Sequence, residues 1–188
     1  MKFLDKKFTQ ETLKLALPVM LTQVGQVSVN LFDNIIVGKL LGAKALASVS
    51  LGNAIFFSIF IFGLGFSLAI PPLVSEAHSQ HNHDRINSVF RHGFVVNLTV
   101  GIILVGLIFG FIPFLPHLGQ PKEILPDTVT FLSIVTLSII PFMMFQTMRE
   151  VSEGLSYTIG VTKATIFANV INIILNYIFI KTFSWGVA

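Results

Sequence analysis

LKLALPVMLTQVGQVSVNLFDNIIVGKLL, residues 13–41, is mostly apolar between Lys14 and Lys39 near its ends, apart from one polar stripe and a single carboxylate, Asp33. At about 100° per residue, Thr22, Gln23, Gln26, Asn30 and Asp33 fall within roughly a third of a helix circumference. Val24, Val27, Leu31 and Ile35 lie opposite. A run of this length and polarity is read as a membrane-spanning helix with one face turned to lipid. A carboxylate at membrane depth costs about 2.5–3.5 kcal/mol on insertion scales, so it belongs in a bundle interior or a water-filled cavity, beside a partner. The simpler alternative is a helix-end carboxylate reaching the headgroups. Asp33 stands about eight residues, roughly 12 Å, before the end of the stretch, and an aspartate is too short to reach that far. The stripe therefore marks a working face.

The rest of the composition agrees with a membrane bundle. The chain is 53% hydrophobic and 11% charged, with a mean hydropathy of +0.82, more apolar surface than a soluble domain tolerates. A net charge of +3 raises the question of nucleic acid. The basic residues are scattered at span ends, which is the pattern of membrane-flanking lysines and not of a nucleic-acid patch. The absence of cysteine excludes disulfides and thiolate metal sites.

Upstream of the first span, MKFLDKKFTQETLK has the charge of a signal-peptide leader, but the apolar run that follows is too long and has no small-residue cleavage site. Pro18 permits a bend early in the span. GAKALASVSLG reads as a short connection, and further spans are expected at 51–74, 94–114, 128–148 and 163–180. Gly63, Gly65 and Ser67 suit close helix approach in the second, which Pro71-Pro72 is expected to end; Gly106 and Gly110 form a GxxxG pattern in the third. Pro141 interrupts the fourth. In the fifth, Thr165, Asn169, Asn172 and Asn176 share one face, and so many amides in an apolar span need hydrogen-bond partners; interhelical packing bonds are the plainer explanation. The histidines at 78, 81, 83 and 92 lack metal-ligand spacing and read as a solvated loop.

With the amino terminus in the cytoplasm, inner segments carry Lys2, Lys6, Lys7, Lys14, Arg85, Arg91, Arg149 and Lys163, and outer ones carry only Lys39, Lys44, Lys122 and Lys181. That bias sets the expected orientation. Spans one and five then rise in the same direction, and Asp33 lands at the depth of Asn172 and Asn176. A carboxylate with amide oxygens suits a hard cation such as sodium, or a proton on the carboxylate.

PVMLTQVGQVSVNLFDNIIVGKLLGAKALASVSLGN resembles the opening span of MATE (multidrug and toxic compound extrusion) transporters, with Pro18, Asp33, Val37-Gly38 and Gly42 matching the family pattern. EVSEGLSYTIGVTKATIFANVINIILNYIFI is similar to the family's fourth-to-fifth span region, including an NxxxN element at Asn172 and Asn176. The resemblance implies an antiporter of two six-helix lobes that exports organic, often cationic, small molecules in exchange for sodium or protons, with no other cofactor. It assigns Asp33, Asn172 and Asn176 to the coupling ion, Gln23, Gln26 and Asn30 to the cavity wall, and Pro18 to a hinge; Na+ at Asp33 is the one metal it brings. Some relatives carry a carboxylate where this chain has Asn176. The chain stops at SWGVA, in what resembles the turn before a sixth span. The expectation is thus an all-α polytopic bundle of five transmembrane helices, an incomplete N-lobe of a twelve-helix fold lacking its second lobe. It is multi-pass in a bacterial-type inner or plasma membrane, and unable to transport or fold stably by itself. The alternatives are a lipid-linked oligosaccharide flippase, disfavoured by the lack of lysine or arginine inside the spans, and a non-transporting truncated subunit. No span gathers His, Ser-Lys or paired carboxylates, so an enzyme is not expected.

Overall fold

The computed structural model describes residues 6–182, and the side chains of Pro18, Thr22, Gln26, Asn30 and Asn176 lie outside the described residues. Seven α-helices follow one another with no strand among the described residues: α1 (Lys6–Leu40), α2 (Gly42–Ser67), α3 (Ile70–Ser79), α4 (His83–Phe111), α5 (Leu125–Leu137), α6 (Ile139–Gly154) and α7 (Thr158–Thr182). A 3-10 segment, Ile112–Leu118, extends α4.

The expected connection after the first span is not a loop. Leu41 alone separates α1 from α2, and Gly42 takes a φ of +87°, a left-handed geometry that glycine enters without a Cβ clash. Alanine and other small residues then continue straight into helix. Nor do Pro71 and Pro72 end the second span: they occupy the first turn of α3, where a missing N–H costs nothing because no carbonyl awaits it. The chain continues as one apolar helical segment, Ala43–Ser79.

Among the described residues three segments are long and apolar enough to cross a membrane, Ala43–Ser79, His83–Leu118 and Thr158–Leu175, and the pair α5–α6, bent by 41°, makes a fourth if counted as one span. The bend falls at Ser138, so Pro141 sits inside the first turn of α6 instead of at the break itself. The first two segments, of 37 and 36 residues, are about 50 Å long, against a hydrocarbon core of about 30 Å. The α3–α4 hairpin, which carries Glu76, Asp84, Arg85 and Arg91, is the end whose charges suit a place outside that core. Its turn is capped by Asn82, whose side chain accepts a hydrogen bond from the Arg85 amide at 2.9 Å.

The core lies where α2, α4, α5 and α6 meet. Phe56 and Phe60 of α2 pack with Leu104, Ile108, Leu115, Leu132, Ile139 and Met143. Gly63 admits Met143 and Leu104: a Cβ there would meet the Leu104 Cδ1 at 2.6 Å. Ser67 is buried close by, whereas Gly65 faces open space. Gly106 and Gly110 likewise have no neighbour within 4 Å of a built Cβ among the described residues, so the GxxxG pattern is not a helix contact here. Buried hydrogen bonds tie the helices together, from Asn97 Nδ2 to Thr147 Oγ1 at 2.8 Å between α4 and α6 and from Thr128 Oγ1 to the Ser48 carbonyl at 3.2 Å between α5 and α2.

Candidate functional site

α1 packs most extensively against α7, the helices that carry Asp33 and the asparagine face. The face of α1 read as lipid-facing is exposed, with Val24, Val27, Leu31 and Ile35 all open. On α7, Thr158, Thr162 and Thr165 are buried although the helix is otherwise largely exposed. Residues spaced 158, 162, 165, 169 and 172 recur on one face at about 100° per step, so the buried threonines continue into the asparagines.

The register between the two helices is set by one contact. A Cβ on Gly25 would stand 3.4 Å from Asn169 Nδ2, so this amide lies directly against the glycine. Four chain reversals separate α1 from α7, which therefore run parallel. Asp33 is eight residues beyond Gly25, and Asn176 is seven beyond Asn169. At 1.5 Å per residue the two positions differ in height by about 2 Å. Asn172 sits about one turn lower. Around the α1 axis Asp33 lies about 80° from Gly25, at the flank of the seam.

Within this arrangement Asp33 is half-buried and Asn172 exposed, and each has a polar or electrostatic partner. Gln23 is exposed. Pro18, Gln26, Asn30 and Asn176 fall within helix, but nothing further is described of their side chains. Two buried polar atoms on α7, Thr165 Oγ1 and Asn169 Nδ2, have no hydrogen-bond partner among the described residues. Their burial without a bond costs about 1–3 kcal/mol each unless water supplies it. By sequence, α1 and α7 bring to this seam one carboxylate and several amides and hydroxyls, residue types whose oxygens suit a hard cation. No group of three or more His, Cys, Asp or Glu among the described residues is arranged to hold a metal ion.

A buried polar cluster that the sequence does not single out straddles the end of the expected fourth span, 128–148. Gln146, Arg149 and Glu150 are buried in α6. Gln146 Nε2 donates to Glu150 Oε1, leaving Gln146 Oε1 without a partner, and Arg149 Nε donates to Glu153 Oε1 at 2.8 Å. The signal was present as two i, i+4 pairs, but a run of charges after a span reads first as a solvated exit.

The MatE family model matches residues 18–178. The multidrug resistance protein NorM of Photobacterium profundum is 27% identical over 93% of this chain, which covers 38% of that protein. The probable multidrug resistance protein NorM of Rhizobium meliloti (strain 1021) is 31% identical over 90% of the chain and 36% of its own length. The chain thus spans under two-fifths of the curated relatives it matches. Among solved structures, an outward-facing multidrug resistance MATE family transporter of the MOP superfamily superposes with a TM-score of 0.82 at 20% identity, over 93% of this chain and 39% of that one. A MOP superfamily transporter from Pyrococcus furiosus Vc1 (DSM3638), described as having a binding pocket of reverse polarity, reaches 0.85 at 20% identity with the same coverage.

Proposed function

The chain belongs to the MatE family, and we propose that it forms the ion-coupling half of a transporter that exports organic, often cationic, compounds in exchange for Na+ or H+. In this reading the amino terminus is cytoplasmic, the bundle is embedded in an inner or plasma membrane, and a second lobe completes the substrate cavity. Asp33 carries the coupling ion. Asn172 and Asn176 contribute amide oxygens, Gln23, Gln26 and Asn30 keep the wall polar, and Pro18 supplies the bend for alternating access.

The observation that carries the proposal is the contact of Gly25 with Asn169, from which the levels of Asp33 and Asn176 on adjacent helices follow. A site with one carboxylate changes charge by one when a cation or proton leaves. That change makes an outward-open and an inward-open state respond differently to the ion gradient. The apolar remainder of the bundle makes the change costly unless it occurs at this seam.

Efflux of a fluorescent organic cation from cells with matched protein levels tests the assignment in the complete transporter. Asp33→Asn keeps shape and hydrogen bonding but fixes the site neutral, and it should abolish ion-driven export with insertion intact. Asn176→Asp adds a second carboxylate, and export should persist with a displaced pH optimum or altered sodium dependence. The opposite order, with Asp33→Asn exporting normally and Asn176→Asp disabled, is the result of a purely structural aspartate.

A further inference from the structure

A cavity of about 300 Å3 opens between α3 and α4, away from the α1–α7 seam. Phe66, Ala69, Ile70 and Leu73 form one wall, and Ser88, Val89, His92, Gly93, Val96 and Asn97 form the other. Its floor is closed where Gly93 meets Ile70, whose Cδ1 stands 3.0 Å from a built Cβ. Asn97 at the floor is held by its bond to Thr147. Three large apolar side chains along the opening, Phe66, Leu73 and Val96, are 58%, 43% and 45% exposed.

The polar groups gather at the hairpin end. His92 Nδ1 lies 2.7 Å from the Ser88 carbonyl oxygen, a contact that only a protonated Nδ1 can make as donor. In the neutral ring Nε2 is then a bare acceptor, and in the charged ring a donor. Nε2 has no partner among the described residues. Arg85 lies one turn before Ser88 and Val89, on the same face of α4. Its Nη2 stands 3.4 Å from Glu76 Oε1, three residues past Leu73 on α3, and both side chains are about half exposed. This pair ties α3 to α4 on the hairpin side of the groove and leaves most of the guanidinium's five donors free. Arg91 adds a second cation on the flank of α4.

An apolar trough that ends in cationic donors has the polarity of an amphiphile. It also lies next to the charged α3–α4 hairpin, whose residues suit a place outside the hydrocarbon core. We propose that this groove holds a phospholipid of the surrounding bilayer, one acyl chain along Phe66, Leu73 and Val96 and its phosphate on Arg85 and His92. Glu76 acts as a positioning residue that holds Arg85 over the groove mouth. The site is independent of the ion-coupling role of Asp33.

A photo-reactive benzoylphenylalanine placed at Val96, in the protein in its native membrane, reports the occupant by the mass of its adduct. Ile103, exposed on the same face of α4 two turns beyond the groove, is the control position. Phospholipid adducts should be enriched at 96 over 103. They should fall about tenfold in an Arg85→Gln, His92→Gln variant, the loss expected for a charge-assisted bond. Ala69→Phe fills the groove from an exposed position and should remove the adducts at unchanged protein abundance. Equal lipid labelling at 96 and 103, adducts to another protein segment or a small organic cation, or labelling indifferent to Ala69→Phe would overturn the proposal.

Discussion

Replacing Gly154 with alanine should loosen the joint between α3 and α6 more than any other glycine change in the bundle. A Cβ at this position would stand 2.7 Å from Val74 Cβ, 2.8 Å from the Pro71 carbonyl oxygen and 3.0 Å from Val74 Cγ1. The first is roughly 0.8 Å short of ordinary carbon contact. Neither obstacle can swing aside, since one is backbone and the other is the branch point of a fully buried valine. Relief requires sliding α3 against α6, for which overpacking costs about 1–3 kcal/mol. The gain in helix propensity offsets less than about 1 kcal/mol, because Gly154 is the last residue of α6. A net loss of about 2 kcal/mol, roughly thirtyfold in the folded-to-unfolded ratio, is expected. Gly52→Ala is the informative comparison. Its Cβ comes equally near, 2.6 Å, but to the ring of Phe131, which can rotate, so the loss should be smaller. Gly106→Ala meets nothing within 4 Å and should be neutral or slightly stabilising. Thermal unfolding in detergent ranks the three. A Gly154→Ala midpoint equal to that of Gly106→Ala would refute the close approach of α3 and α6.

Thr147→Val strands the buried Asn97 amide and should cost about 1–3 kcal/mol, whereas the double variant Asn97→Leu, Thr147→Val removes both partners and should recover much of it in the same unfolding assay. For orientation, single cysteines at His81 and Lys122 stand out against a chain that has none. An impermeant thiol reagent outside intact cells should label Lys122→Cys and spare His81→Cys; the reverse labelling inverts the proposed topology.

How far the sequence could be read depended on which physical signal each segment carries. The apolar face of α1 was legible because exposed valines, leucine and isoleucine recur at the helical period, and on α7 the buried Thr165 lies on the face expected to be polar. The same periodicity could not say that residues 42–52 are helix, since alanine, serine and glycine suit a loop or a tight helix start equally. Pro71-Pro72 ends one helix or begins the next with the same chemistry, and the structure has it beginning one. Gly106 and Gly110 carried the spacing of a packing motif without a partner helix to receive it. The burial of Gln146, Arg149 and Glu150 depended on α3, α4 and α6 meeting below the core, which no local pattern records. The height match of Asp33 and Asn176 was expected from orientation alone; the contact at Gly25 fixes its register.

The direct test of the coupling role is ion release on substrate binding. In exchange transport through one carboxylate, an organic cation and the coupling ion bind the complete transporter in competition, so each lowers the affinity for the other. Purified protein in weakly buffered solution, titrated with a fluorescent organic cation, should release protons to a pH-sensitive dye, or sodium to a sodium indicator if that is the ion. Asp33→Asn should bind the same cation and release neither. Substrate-driven ion release from Asp33→Asn at the level of the unmodified protein would contradict the assignment of the coupling ion to this residue.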